Sequence, residues 1–237
     1  MSAPEQPLGG AGDPMSSPAA ACSFLYGLLA ECFAYPDEDL VESIQAGILR
    51  RQIELLSGAV DARLLVGLDL APLDSPDAVL EPLAVEYTRL FDTGMQGAGC
   101  SLNGGVHQGP QMKVMEEAVR YYNHFGLTMT DDNRELPDHL TTELNFLHFL
   151  AFGEHQLETA GQSPADYQRA QRDFIARHPG RWLPVMWRKL ERMNPVPLFG
   201  VLTQVLMRLL EHEQARLEGL HGVANLKPSE ELPFGGI

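Results

Sequence analysis

Apolar side chains recur at intervals of three and four residues along most of this chain, and that spacing points to helices. Phe24, Leu25, Leu28, Leu29 and Phe33 repeat in this way, as do Leu83, Tyr87, Leu90 and Phe91. Leu140, Leu144, Leu147 and Ala151 make a third stripe, widened by Phe146, Phe149 and Leu150. Leu198, Leu202, Val205, Leu206 and Leu209 make a fourth. Residues three and four apart share one face of an α-helix, so each stripe is a face built for burial. Alternating strand patterns are scarce and β-branched runs are absent. The expected fold class is therefore all-α, a single-domain helical bundle of about nine helices.

Punctuation supports the same expectation. Ser17-Pro18, Ser75-Pro76, Ser163-Pro164 and Asn194-Pro195 each set a capping side chain before a proline. Proline at the first helical position loses no hydrogen bond and already has a helical φ. Together these signals predict helices over 18–34, 38–56, 58–67, 76–92, 110–125, 138–159, 164–177, 181–192 and 196–220. The longest interruption is 93–109, with six glycines and Cys100, Asn103 and His107. Residues 1–16 and 222–237 are rich in small and turn-forming residues and are expected to be mobile tails around a domain at 17–221.

Charge and cysteine usage narrow the partners. Seventeen basic and 32 acidic side chains give a net charge of −15, a poor match for nucleic acid. Cys22, Cys32 and Cys100 form no CxxC pair, which suits a reducing compartment. No segment resembles a signal peptide or a membrane span. The first basic residue is Arg50, and the apolar run at 19–30 ends against Glu31. The expected location is the cytoplasm, without stable membrane insertion. Residues 163–192 run the other way, with seven Lys or Arg against three acidic residues. They read as a solvated face pairing with acidic neighbours, or as a docking surface.

Catalytic motifs are missing. There is no HExxH, Walker A loop, GxGxxG or GxSxG. No catalytic residue, cofactor or metal is expected, and the chain does not read as an enzyme. One metal-binding alternative stays open, a helical site from His139, Glu143, His148 and His155. His139 and Glu143 share a helix face, as do His148 and His155, but His139 and His148 do not. A local hydrogen bond is the commoner reason for a His139–Glu143 spacing of this kind.

The most informative stretch is Glu135-Leu136-Pro137-Asp138-His139-Leu140, followed by Glu143-Leu144-Asn145-Phe146. Physically, Pro137 stops the preceding segment and Asp138 can cap a new helix with His139 in its first turn. The stretch also resembles the Pro-Asp-His-Leu motif of the TorD/DmsD/NarJ family of redox-enzyme maturation chaperones, with its following Glu-Leu-x-Phe segment. Glu86-Tyr87-Thr88-Arg89-Leu90-Phe91, the pair Tyr121 and Tyr122 before Gly126-Leu127, and Phe174 with Trp182-Leu183-Pro184 are similar to further family patterns. The resemblance spans roughly residues 20–212. The segment from Cys100 to Pro110 departs from the family's proline-serine-tyrosine element. That segment and Asp131-Asp132-Asn133-Arg134-Glu135 look most like chaperones of type II dimethyl sulfoxide reductase relatives, which handle dimethylsulfide, chlorate, selenate or ethylbenzene.

The resemblance implies a cytoplasmic chaperone for the precursor of a molybdenum-containing catalytic subunit, engaging its twin-arginine signal peptide before cofactor insertion and export. It implies client-binding roles for Pro137, Asp138, His139, Glu143 and Tyr87, on an apolar groove with acidic edges. The seven acidic groups between 131 and 159 would form that rim. Family members can form domain-swapped dimers, so a homodimer is among the expected states.

Overall fold

The computed structural model describes residues 16–92, 99–128 and 135–226. Ten α-helices occur among the described residues: α1 (Pro18–Cys32), α2 (Glu38–Gln45), α3 (Ile48–Val60), α4 (Leu80–Phe91), α5 (Gly105–Gln108, a single turn), α6 (Gln111–His124), α7 (Leu140–Thr159), α8 (Ala165–Arg177), α9 (Pro179–Arg192) and α10 (Pro197–His221). No strand occurs among the described residues, only one isolated bridge between Asn103 and His139. The fold class is all-α, as the stripes require. Residues 1–15 and 227–237 of the expected tails lie outside the described residues, as do residues 93–98 of the glycine loop and Asp131–Arg134.

The helix starts separate strong signals from weak ones. Ser17 accepts from the Ala20 N–H at 3.1 Å with Pro18 in the first turn, as a capping pair should. Asp37 does the same for α2, accepting from Leu40 N–H at 2.9 Å. Ser75-Pro76 starts no helix, since α4 begins at Leu80. Asn194 sits at φ 47° and turns the chain, and α10 begins at Pro197. A polar side chain followed by proline suits a turn as well as a cap, which is why two of these signals mislead. The predicted helix 38–56 is broken at Gly47, whose φ of 63° places it in the left-handed region. The predicted helix 58–67 is absent. Helix α3 ends at Val60, and Asp61 accepts from Arg63 N–H at 2.7 Å to make a turn instead.

Helix α7 is the central element, packed along α1 on one side and α8 on the other. Leu140, Leu144, Leu147, Leu150 and Ala151 are all buried, against Leu25 and Leu29 of α1. Each fully buried leucine contributes about 1.5–3 kcal/mol. Tyr122, Phe146 and Phe174 stack edge-on or tilted beside them, joining α6, α7 and α8. All three cysteines are buried and unpaired. Burial pushes the Cys32 thiol up to about 12 and Cys100 to about 11.

A buried ionic cluster ties α7, α8 and α10. Both carboxylate oxygens of Glu154 accept from Arg216, at 2.9 and 3.1 Å. The side chains of Gln168 and Gln171 donate to the same two oxygens at 2.9 and 2.6 Å. Arg216 also grips Glu213 at 2.7 Å. The chain beyond α10 is held as well. Arg172 donates to the Gly222 carbonyl at 3.1 Å, Arg177 to that of Asn225, and Ala224 is buried, so residues 222–226 lie on the body of the protein.

Candidate functional site

The Pro-Asp-His-Leu stretch forms the entry to α7, and the glycine-rich segment folds back onto it. Leu140 N–H donates to the Leu102 carbonyl at 2.8 Å, and Gly104 N–H donates to the Asp138 carbonyl at 2.8 Å. Asp138 is fully buried. Its carboxylate accepts from Gly105 N–H at 2.9 Å and from the Asn103 side chain at 3.3 Å. Asp138 therefore does not cap α7. It holds the loop and the start of α5, and the cap of α7 is His139, whose Nδ1 accepts from Thr141 N–H at 3.3 Å. Glycine is required beneath the carboxylate: a Cβ on Gly105 would meet the backbone of Gln111 at 2.7 Å and the Asp138 carboxylate at 2.9 Å.

This arrangement sets an expected result. Asp138→Ala should cost about 1–3 kcal/mol, because it strands the Gly105 N–H and the Asn103 amide. Asp138→Asn should cost less, since an amide oxygen can still accept. Urea unfolding of the two variants measures the difference. An Asp138→Ala midpoint equal to the parent's would show that the carboxylate does not hold the loop.

His139 is nearly buried, with its Nε2 at 3.5 Å from Glu135 and its Nδ1 at 2.8 Å from the Thr141 hydroxyl. Since Nδ1 accepts from Thr141, the proton of the neutral ring belongs on Nε2, facing Glu135. Burial holds this imidazole below the usual histidine range, against the opposing pull of Glu135 and Asp138. The Pro137 carbonyl accepts from the Tyr122 hydroxyl at 2.7 Å. Tyr87 stands apart from this stretch. It is buried, its hydroxyl donates to the Phe33 carbonyl at 2.9 Å, and its ring meets Tyr35, Phe91 and Phe199 edge-on.

Glu143 lies one turn into α7 and is fully buried, with one oxygen accepting from the Trp182 indole at 2.9 Å. Its other oxygen has no hydrogen-bond partner among the described residues and sits 3.7 Å from His178 Nδ1. His178 is also fully buried, stacked on Phe174, with neither ring nitrogen bonded among the described residues. Burial pushes the Glu143 carboxyl well above its usual range, eased by the Trp182 bond and reinforced by Asp138. Burial holds His178 down at about 3, aided by Arg177, Arg120 and Arg181. His178 is therefore neutral at pH 7, and burial favours the protonated, uncharged form of Glu143. The sequence pointed to Glu143 and Trp182 but not to His178, although its four-residue spacing from Phe174 places it on the same buried face.

Beside this entry runs an apolar groove of about 790 Å³ between α1, α3 and α7. Phe24, Leu28, Leu55 and Leu56 supply its apolar walls, and Glu31, Thr141, Asn145 and His148 its polar ones. Thr141 belongs both to this wall and to the His139 cap. The acidic rim expected from residues 131–159 is thinner than the sequence suggested. Asp138, Glu143 and Glu154 are buried, and among the described residues Glu135 and Glu158 are the exposed carboxylates of that stretch.

The metal-site alternative gains no support. His148 Nδ1 is 2.9 Å from the Ser23 hydroxyl and His155 Nδ1 is 2.9 Å from that of Ser17, while Glu143 is held by Trp182. Among the described residues no group of three or more His, Cys, Asp or Glu side chains could hold a metal ion.

The family model for the nitrate reductase delta subunit matches residues 22–188. The chain belongs to this family. Its curated relatives include the selenate reductase assembly chaperone of Thauera selenatis, 32% identical over 195 residues, which covers 81% of this chain and 87% of that protein. The chlorate reductase assembly chaperone of Ideonella dechloratans is 31% identical over 194 residues, with the same coverage of each chain. The dimethyl sulfide dehydrogenase assembly chaperone of Rhodovulum sulfidophilum is 28% identical over 212 residues, covering 85% of this chain and 82% of its own. The family is one of chaperones rather than catalysts, as the missing catalytic motifs led us to expect. The match takes in α4, α6, α7, α8 and most of α9, so the loop clamped by Asp138 and the α7 wall of the groove both fall inside it.

Proposed function

We propose that this protein is a cytoplasmic assembly chaperone for the catalytic subunit of a molybdenum oxidoreductase, and that it holds the subunit's twin-arginine signal region before cofactor insertion and export. The observation that carries this reading is the position of Thr141. Through it, the entry to α7 that resembles the family motif becomes one wall of an apolar groove. An apolar run entering the groove would bury Leu28, Leu55 and Phe24, and adjacent arginines would meet Glu31 on the wall or Glu135 beside His139. Asp138, Glu143, Pro137 and Tyr87 would act from beneath, as positioning residues that hold the loop and helices framing the groove. His139 sits at the edge. A homodimer is compatible with the same groove. Among the described residues no helix is long and apolar enough to cross a membrane.

The test is equilibrium binding of a fluorescein-labelled synthetic signal peptide, with two adjacent arginines followed by an apolar run. Leu28→Glu and Leu55→Glu should each weaken binding by about ten-fold or more, since each sets a charge where apolar surface is buried. His139→Ala and Asp138→Asn should weaken it several-fold; each also removes a bond at the α7 entry, so affinities are compared only for variants that keep the parent's helicity. Added salt should weaken parent binding without abolishing it, because apolar burial is not screened. Folded Leu28→Glu and Leu55→Glu variants that bind as tightly as the parent would remove the groove from this role.

A further inference from the structure

The pattern of cation pairing singles out one surface. Most lysines and arginines among the described residues are engaged. Arg50, Arg63, Arg89, Arg169, Arg172, Arg177 and Arg216 form ion pairs. Arg51 and Arg208 donate to carbonyls, and Lys189 is 3.1 Å from His107 Nδ1. Five make neither an ion pair nor a side-chain hydrogen bond: Lys113, Arg120, Arg181, Arg188 and Arg192. All five are exposed, and all lie on α6 or α9.

Their spacing aligns them. Lys113 and Arg120 are seven apart on α6. Arg181, Arg188 and Arg192 stand at intervals of seven and four on α9. Each set shares one helix face. The two helices flank α5, which packs against both. At the start of α9 the two sets converge. Arg120 and Arg181 both help suppress protonation of His178, and the Arg177–Glu117 ion pair joins the end of α8 to α6. Glu116 and Glu191 are the acidic side chains on these helices without a cation partner, so the face keeps a positive surplus in a chain of net charge −15.

We infer that the exposed faces of α6 and α9 form a docking surface for an acidic segment of a partner protein. This surface is separate from the groove and does not depend on its role. Its shape favours a chain over a small anion. The α9 arginines alone span about 16 Å, and none of these five residues lines the groove between α1, α3 and α7, the pocket between α9 and α10 or the pocket beside Pro76 and Pro197. A short run of carboxylates in an extended chain can reach across that distance, whereas a single phosphate cannot. Long polyanions such as nucleic acid extend beyond the patch and meet the repulsion of the remaining surface. The sequence marked the segment 163–192 as basic, and the structure divides it. Arg169, Arg172 and Arg177 pair with neighbours as a solvated face would, while Arg181, Arg188 and Arg192 do not.

The experiment uses the full-length protein and a fluorescein-labelled peptide of alternating Glu and Ser, read by anisotropy at low salt. The parent should bind, and binding should fall steeply as salt rises. The triple variant Arg181→Gln, Arg188→Gln, Arg192→Gln should bind about ten-fold more weakly or worse while keeping the parent's helicity and its affinity for the signal peptide. The control Arg50→Gln, Arg51→Gln should bind like the parent. No binding by the parent would overturn the inference. So would equal losses in the triple variant and the control, or a single-stranded oligonucleotide of matched charge binding the same face more tightly than the peptide. If the triple variant loses helicity, Lys113→Gln with Arg120→Gln tests the same surface from α6, with a several-fold loss expected and an unchanged affinity overturning it.

Discussion

Arg216→Ala should destabilise the protein by about 3–5 kcal/mol, a large part of the roughly 5–15 kcal/mol that holds a domain folded. The reason is what it leaves behind. Glu154 is fully buried in α7 and Glu213 nearly so in α10, and Arg216 is the one lysine or arginine bonded to either among the described residues. Without it, two carboxylates share a buried site, Glu154 with the Gln168 and Gln171 amides and Glu213 with the His212 imidazole 3.7 Å away. Arg216→Lys should fall between parent and alanine, because an ammonium keeps the charge but cannot grip both oxygens of Glu154 with a planar fork. Chemical denaturation gives the three free energies. An alanine variant within about 1 kcal/mol of the parent would mean the cluster is not what joins α7, α8 and α10.

The pH dependence of stability should carry the signature of the Glu143–His178 pair. Burial favours the protonated form of Glu143 and holds His178 at about 3, so while folded Glu143 keeps its proton the folded pair holds one. Unfolded, the two groups titrate near 4.5 and 6.5. Between those values the unfolded pair also holds one proton, so the pair adds no slope. Above about 6.5 the unfolded chain holds none, and stability falls with rising pH until folded Glu143 ionises. Below about 4.5 the unfolded chain holds two, and stability falls with falling pH until His178 protonates near 3. Glu143→Gln isolates one half of this. Its stability relative to the parent should rise by about 1.4 kcal/mol for each pH unit above 4.5 while folded Glu143 stays protonated. His178→Phe should gain on the parent by a similar slope as pH falls from 6.5 towards 3. Urea unfolding across roughly pH 4 to 8 measures both slopes. A parent–variant difference that stays flat over that range would falsify the assignment.

What the sequence revealed of this fold depended on distance along the chain. The apolar stripes on α1, α4, α7 and α10 were legible because residues three and four apart report on one another directly. The role of Asp138 was not, because its partners Asn103 and Gly105 lie more than thirty residues away. Read locally, an aspartate before a leucine-rich helix is a cap, and only the returning loop shows that the capping atom is His139 Nδ1. Distance also hid the Glu143–His178 apposition, which needs α7 and the α8–α9 junction side by side. Residues 58–67 misled for a local reason, since Asp61 turns the chain through Arg63 more effectively than helix propensity extends it. The family pattern picked out Pro137, Asp138, His139 and Glu143 as a group, and the structure gathers these four at the entry to α7 and leaves Tyr87 at the α1–α4 contact.

The three thiols described with the core have a use outside it. Cys22, Cys32 and Cys100 stand on α1 and at the returning loop, each shut off from solvent and each with its proton held tightly by burial. A maleimide or iodoacetamide in solution meets a sulfur only when the surrounding structure opens. The rate of labelling is then a clock for that opening, read without any engineered probe. Because Cys100 belongs to the segment clamped against Asp138 and the other two to α1, mass spectrometry of the labelled peptides separates release of the loop from loss of the bundle.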